Sequence, residues 1–147
     1  MAEHFKIMPA VFLVLIKDGT VLLARRANTG HQDGNYGLPA GHLEQGESVR
    51  EGIVREAREE VAVILETEDM SVVHVMQRNK DVPGKEYVDF YLTANHWAGE
   101  PKNNEPEKCD DVAWFPLDNL PPNTIPYVRQ AIDCIRRNQH FSEFNFN

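Results

Sequence analysis

Glu56, Glu59 and Glu60 are the residues of this chain best suited by type and spacing to do chemistry. On a helix, residues three and four apart are neighbours, so the three carboxylates would share one face. Like charges so placed cost an isolated helix about 0.2–0.5 kcal/mol per pair. They would also lie near the negative C-terminal end of the helix dipole, which disfavours anions. A bound divalent cation reverses the sign of both effects. A surplus of carboxylates is what a divalent-cation site needs. The plain alternative is a solvated acidic face, partly neutralised by Arg55 and Arg58.

The surrounding segment, LPAGHLEQGESVREGIVREAREEVAV from Leu38 to Val63, shows how such a face would be positioned. Pro39, Gly41 and Gly46 break the chain into a tight loop. Ser48 followed by Glu51 forms a capping-box pattern, which predicts a helix from about Val49 to about Val61. At about 100° per residue, Val49, Ile53, Val54, Ala57 and Val61 fall on one apolar face able to pack on a sheet. The glutamates fall on the adjoining face.

Gly41, five residues, Glu47, seven residues, then Arg55-Glu56-Ala57-Arg58-Glu59-Glu60-Val61-Ala62-Val63 resembles the Nudix box. That pattern is Gly, five residues, Glu, seven residues, Arg-Glu, an aliphatic residue, any residue, Glu-Glu, any residue, Gly, aliphatic. Every charged position matches, and Leu38-Pro39-Ala40-Gly41 resembles the usual approach to the box. The departure is Ala62, where the family carries glycine. If that backbone needs a positive φ, alanine costs on the order of 1 kcal/mol.

The resemblance implies a Nudix-like α/β/α sandwich with a mixed sheet. It implies that Glu56, Glu59 and Glu60 bind Mg²⁺, with Mn²⁺ as a substitute and the Gly41 carbonyl as an extra ligand. The chemistry it implies is attack of a metal-polarised water on a phosphorus of a nucleotide diphosphate. Glu60, Glu59 or a carboxylate outside the box would be the base. Glu105, ahead of Glu107, is the first candidate for that outside group, as ligand or base, against the alternative that both are solvated loop residues. Glu47 and Arg55 are expected to tie loop to helix through a charge-assisted pair. Arg26 or Arg25 could hold a phosphate through its planar fork, and strand alternation allows only one of them into a cleft. His42, beside Gly41, could contact the metal water or substrate. Two markers, the proline of ADP-ribose hydrolases and the tyrosine of dinucleoside polyphosphate hydrolases, are absent at the corresponding places downstream. The LPAGHLE stretch and the loop Glu100 to Lys108 resemble MutT-type members. The favoured substrate is therefore an NTP or dNTP, oxidised or otherwise modified forms included, giving NMP and pyrophosphate. Another nucleoside diphosphate-linked compound, such as a nucleotide sugar or ADP-ribose, and a non-catalytic nucleotide-binding module are the competing readings.

The rest of the chain reads as the frame for this segment. Its 147 residues fit one domain, 1–147, large enough for a core. A net charge of -8 argues against general nucleic-acid binding or a membrane surface. The apolar run Pro9 to Ile16 is too short to span a bilayer, and a cytoplasmic protein with two free thiols, Cys109 and Cys134, is expected. Ala10–Ile16 predicts a buried strand, Asp18-Gly19 a turn and Val21–Arg26 a second strand, followed by a loop from Ala27 to Gly37. Val72–Arg78 and Tyr87–Thr93 predict a hairpin around Val82-Pro83-Gly84-Lys85, Val112–Phe115 another strand, and Ile125 or Pro126 to Arg137 a last helix. Strands mixed with a middle and a terminal helix suggest an α/β sandwich. Phe12, Tyr36, Tyr87, Phe90 and Trp114 could stack on a base, with core packing the default. His31, His74 and His96 have no metal spacing. The tail Asn138–Asn147, with Phe141, Phe144 and Phe146, could dock, form a homodimer or stay mobile.

Overall fold

The computed structural model describes residues 3–79 and 83–146. Its first sheet contains β1 (Met8–Leu13), β5 (Ala40–His42), β6 (Met70–Arg78), β7 (Tyr87–Ala94) and β9 (Phe141–Phe144), in the order β5-β1-β7-β6-β9. β1 runs antiparallel to β5 and parallel to β7, and β6 is antiparallel to β7 and parallel to β9, so the sheet is mixed. A second sheet is built around β3 (Thr20–Arg26), flanked by β2 (Ile16–Lys17), β4 (Tyr36–Gly37) and β8 (Cys109–Pro116).

Helices α1 (Val49–Val61) and α2 (Pro126–Arg136) pack on separate cores, as an α/β/α sandwich requires. β1 serves both. Val11 and Leu13 join Ile53, Ala57 and Val61 of α1, whereas Ala10 and Phe12 join Val128 and Ile132 of α2. A strand covered on both faces reads as a continuous apolar run, which explains the composition of this segment. β7 is shared in the same way, with Tyr91 on the α2 side and Leu92 on the α1 side.

The run Ala10–Ile16 is not one strand. Leu13 still pairs with Leu92 in the first sheet, but Ile16 pairs with Val21 in the second, so the chain changes sheets between them. The following turn places Asp18 and Gly19 at φ 51° and 73°, the positive pair of a tight hairpin turn. The loop from Ala27 includes the short strand β4 at its end, and β8 begins at Cys109, ahead of the expected Val112. Of the expected turn Val82–Lys85, Val82 lies outside the described residues, and Pro83 and Gly84 form a turn.

The tail docks. Phe141–Phe144 adds a strand beside β6, and the buried His74 of β6 reaches it through Gln139 and Ser142. The Gln139 carbonyl can only accept, so His74 Nδ1–H donates to it at 2.7 Å and Nε2 accepts from the Ser142 hydroxyl at 2.7 Å. Cys109 and Cys134 are free thiols.

Candidate active site

Helix α1 has the expected limits, and both halves of the capping box at Ser48 and Glu51 are made. Arg55 joins the helix to the preceding loop. Its Nε and Nη2 donate to the two oxygens of Glu47 at 2.7 and 2.9 Å, Nη2 also donates to the His42 carbonyl at 3.1 Å, and Nη1 donates to Glu56 at 2.6 Å. This guanidinium lowers Glu47 to about 2, and its own proton is held more tightly by Glu47 and Glu56. One planar fork thus fixes the loop and aims a carboxylate.

Gly41 is required where it stands. A β-carbon there would fall 2.0 Å from Glu56 Oε1, so only glycine lets β5 approach this carboxylate. One residue earlier, the Ala40 N–H donates to Glu60 Oε2 at 3.0 Å. The end of α1 departs from ideal geometry where Ala62 adopts φ 59° and ψ 28°, the left-handed conformation that favours glycine.

Glu56, Glu59, Glu60 and Glu105 line a single cavity of about 290 Å³, together with Arg25, Arg26, Thr29, Lys108 and Cys109. Burial, followed by the charge of Glu56, pushes Glu60 well above the ordinary carboxylate range. Burial also raises Glu105, with the charges of Glu56, Glu107 and Glu59 acting in the same direction. Glu107 is absent from the cavity lining. Among the described residues no three potential ligands converge on one point at ligating distance, since Glu56 is turned to Arg55 and Glu60 to Ala40. The donor chemistry still fits a hard cation, because four carboxylates line one cavity and Mg²⁺ needs few direct protein ligands.

Arg25 and Arg26 both line the cavity, contrary to the alternation expected of a strand. The β3–β8 register shifts between them, and such an irregularity interrupts the alternation of side chains. Arg25 Nε donates to Asp110 at 2.6 Å, and Arg26 Nε donates to the His31 carbonyl at 2.7 Å.

A second cavity of about 350 Å³ shares Arg26 with the first, and its wall includes Ala40 and Gly41, which contact Glu60 and Glu56 of the first. It is lined also by Phe12, Tyr87, Tyr127, His31, His42, Lys85 and Arg78. His42 therefore faces this space, beside the Tyr87 ring at 5.9 Å. Burial, then the neighbouring Lys85 and Arg78 charges, lowers its proton affinity. Arg78 lies between the Tyr87 and Tyr127 rings, at 4.1 and 4.2 Å, and pairs with the fully buried Asp89 at 2.6 Å.

Of the aromatic candidates, Phe12 and Tyr87 reach this cavity. Tyr36 packs against Phe115 and donates to Asp111, while Phe90 and Trp114 pack against the α1 core. Lys108, Arg78 and Tyr127 were not apparent as site residues from the sequence. Lys108 sits in an acidic loop, and the other two meet only through tertiary packing.

Residues 6–135 match the family model described as the NUDIX domain. The NAD-capped RNA hydrolase NudC of Pseudomonas aeruginosa is 34% identical over 120 residues, 82% of this chain and 40% of that protein. Its namesake in Stutzerimonas stutzeri is 30% identical over 131 residues, 88% of this chain and 43% of that protein. The chain thus spans less than half the length of these curated relatives. Among solved structures, a MutT NUDIX hydrolase from Burkholderia pseudomallei superposes with a TM-score of 0.80 at 27% identity, covering 88% of this chain and 98% of that one.

Proposed function

The chain belongs to the NUDIX family, and on that premise we propose that it is a Mg²⁺-dependent hydrolase converting a nucleoside triphosphate to NMP and pyrophosphate. The observation carrying this reading is the pair of adjoining cavities that share Arg26, one lined by carboxylates and cations, the other by aromatic rings. The first suits a metal-bound polyphosphate and the second a nucleoside.

Glu56, Glu59, Glu60 and Glu105 would hold the metal, with the Gly41 carbonyl as a further ligand and Mn²⁺ as a substitute ion. When bound, the ion supplies a polarised water and stabilises charge on phosphate oxygens. Arg25, Arg26 and Lys108 bind and orient the phosphates from the same cavity. Glu60 or Glu105 would accept the proton from water, since both carboxylates line the cavity. Phe12, Tyr87 and Tyr127 give an apolar wall to the space for the base, and His42 and Lys85 offer donors to its edge or to the sugar.

The curated relatives support a second reading, hydrolysis of a linked dinucleotide, with the second cavity taking one nucleoside. Products separate the two. Pyrophosphate and NMP released from a triphosphate support the first reading, and two phosphomonoesters from a linked diphosphate support the second. In either case chelation of Mg²⁺ should stop turnover; unchanged rates would overturn the metal assignment. A folded protein that binds nucleotide without turning over any member of a broad panel would point to a regulatory module.

A further inference from the structure

The last four carbonyls of a helix have no partner within it. In α1 these belong to Arg58, Glu59, Glu60 and Val61, the turn that carries two of the site carboxylates. All four are filled by one short stretch of a distant loop. Asn104 Nδ2 donates to Arg58 O and Glu59 O, both at 3.2 Å, and the Asn104 N–H donates to Glu60 O at 3.0 Å. The Lys102 N–H donates to Val61 O at 3.0 Å.

The same loop presents Glu105, whose own backbone is held on both sides. Asn103 Oδ1 accepts its N–H at 3.1 Å, and the Lys108 N–H donates to its carbonyl at 2.9 Å. Asn103 is anchored in turn by donating to Cys109 O at 2.6 Å. Glu105 thus projects from a segment fitted to the helix end, and it lines the same cavity as Glu56, Glu59 and Glu60.

We propose that Asn104 is a positioning residue, which holds Glu105 in place relative to Glu59 and Glu60 and so sets how tightly the site binds its divalent cation. The asparagine itself is not among the residues lining the cavity. It acts by making the helix end and the Glu105 loop one rigid unit, as outer-shell partners do for metal ligands. The inference rests on the reading of Glu105 as part of the metal site.

The test is a titration with Mn²⁺ alone, followed by electron paramagnetic resonance, on the full chain, Asn104→Ala, Glu105→Gln and the double variant. Asn104→Ala should weaken binding by about tenfold, the lower end for loss of an outer-shell partner, and Glu105→Gln by at least as much. The double variant should bind no more weakly than Glu105→Gln, because both changes remove the same contribution. Asn104→Ser, which keeps one donor, should bind with intermediate affinity, and thermal unfolding monitors folding of each protein. Wild-type affinity in a folded Asn104→Ala, or effects that multiply in the double variant, would overturn the positioning role while leaving Glu105 in the site. Wild-type affinity in Glu105→Gln would remove Glu105 from the metal site and the inference with it. Should Asn104→Ala not fold, Asn104→Ser alone and paired with Glu105→Gln decides by the same comparison.

Discussion

Gly41 and Glu56 are in such close contact that the glycine's missing side chain is the space occupied by the carboxylate. Gly41→Ala should therefore displace the Glu56 carboxylate, the flexible group that the added carbon would meet. We expect turnover to fall by about a hundredfold, as a shift of about 1 Å in a catalytic group can produce. Gly46→Ala is the control: its positive φ strains alanine, but nothing lies within 4 Å of the added carbon, so its effect should be on stability. Steady-state kinetics with thermal melts of both variants check this; full activity in Gly41→Ala would contradict the packing argument.

Arg55 cannot be replaced by its nearest relative in charge. Lysine loses the two-pronged grip on Glu47 and cannot reach Glu56 and the His42 carbonyl at the same time. Arg55→Lys should cost about 2 kcal/mol in urea unfolding, the scale for lost hydrogen bonds between charged groups. The exposed Arg58, changed to lysine, should unfold as the parent does.

Ala62 carries strain that can be relieved. With φ at 59°, Ala62→Gly should raise stability by about 1 kcal/mol, since a β-carbon is disfavoured in this conformation. The midpoint of thermal unfolding should rise by about 2–4 °C for a chain of this size. A midpoint at or below the parent's would show that α1 ends differently.

His74 makes the docking of β9 sensitive to acid. Burial holds its folded proton affinity below the ordinary value of 6.5, so acid charges the imidazole less readily in the fold than in the unfolded chain. Below pH 6.5 the unfolded chain takes up a proton that the folded chain does not, and stability falls until the folded value is passed. Above pH 6.5 the contribution is fully present. Melting temperatures measured from pH 7.5 downward should show this loss, and His74→Gln should flatten that component of the curve. An identical profile in the variant would assign the acid sensitivity to other groups.

The limits of α1, its cap and the Glu47–Arg55 tie were legible because they depend on residues close in sequence. The positive φ at position 62 was raised only as a condition, through the glycine that the resembled box carries there. Other features depend on partners that a linear reading does not bring together. β9 forms because β6 offers an edge and His74 offers two hydrogen bonds. Arg25 and Arg26 share a cavity because β8 pairs out of step with β3 between them. His42 belongs to the cavity beside Tyr87, even though its neighbour Gly41 touches Glu56.

The strand pairings of β1 have a consequence for how the molecule matures. β5, which begins the loop into α1, is held by β1, and β1 is held by β7 from far along the chain. Closure between such remote segments is the slow part of building a sheet. A partly collapsed chain would already contain the helix and its glutamates, but Ala40 and Gly41 would not yet be set against them. Turnover should consequently reappear during refolding in step with the last long-range pairing, so that enzymatic activity counts completely folded molecules more strictly than helical content does.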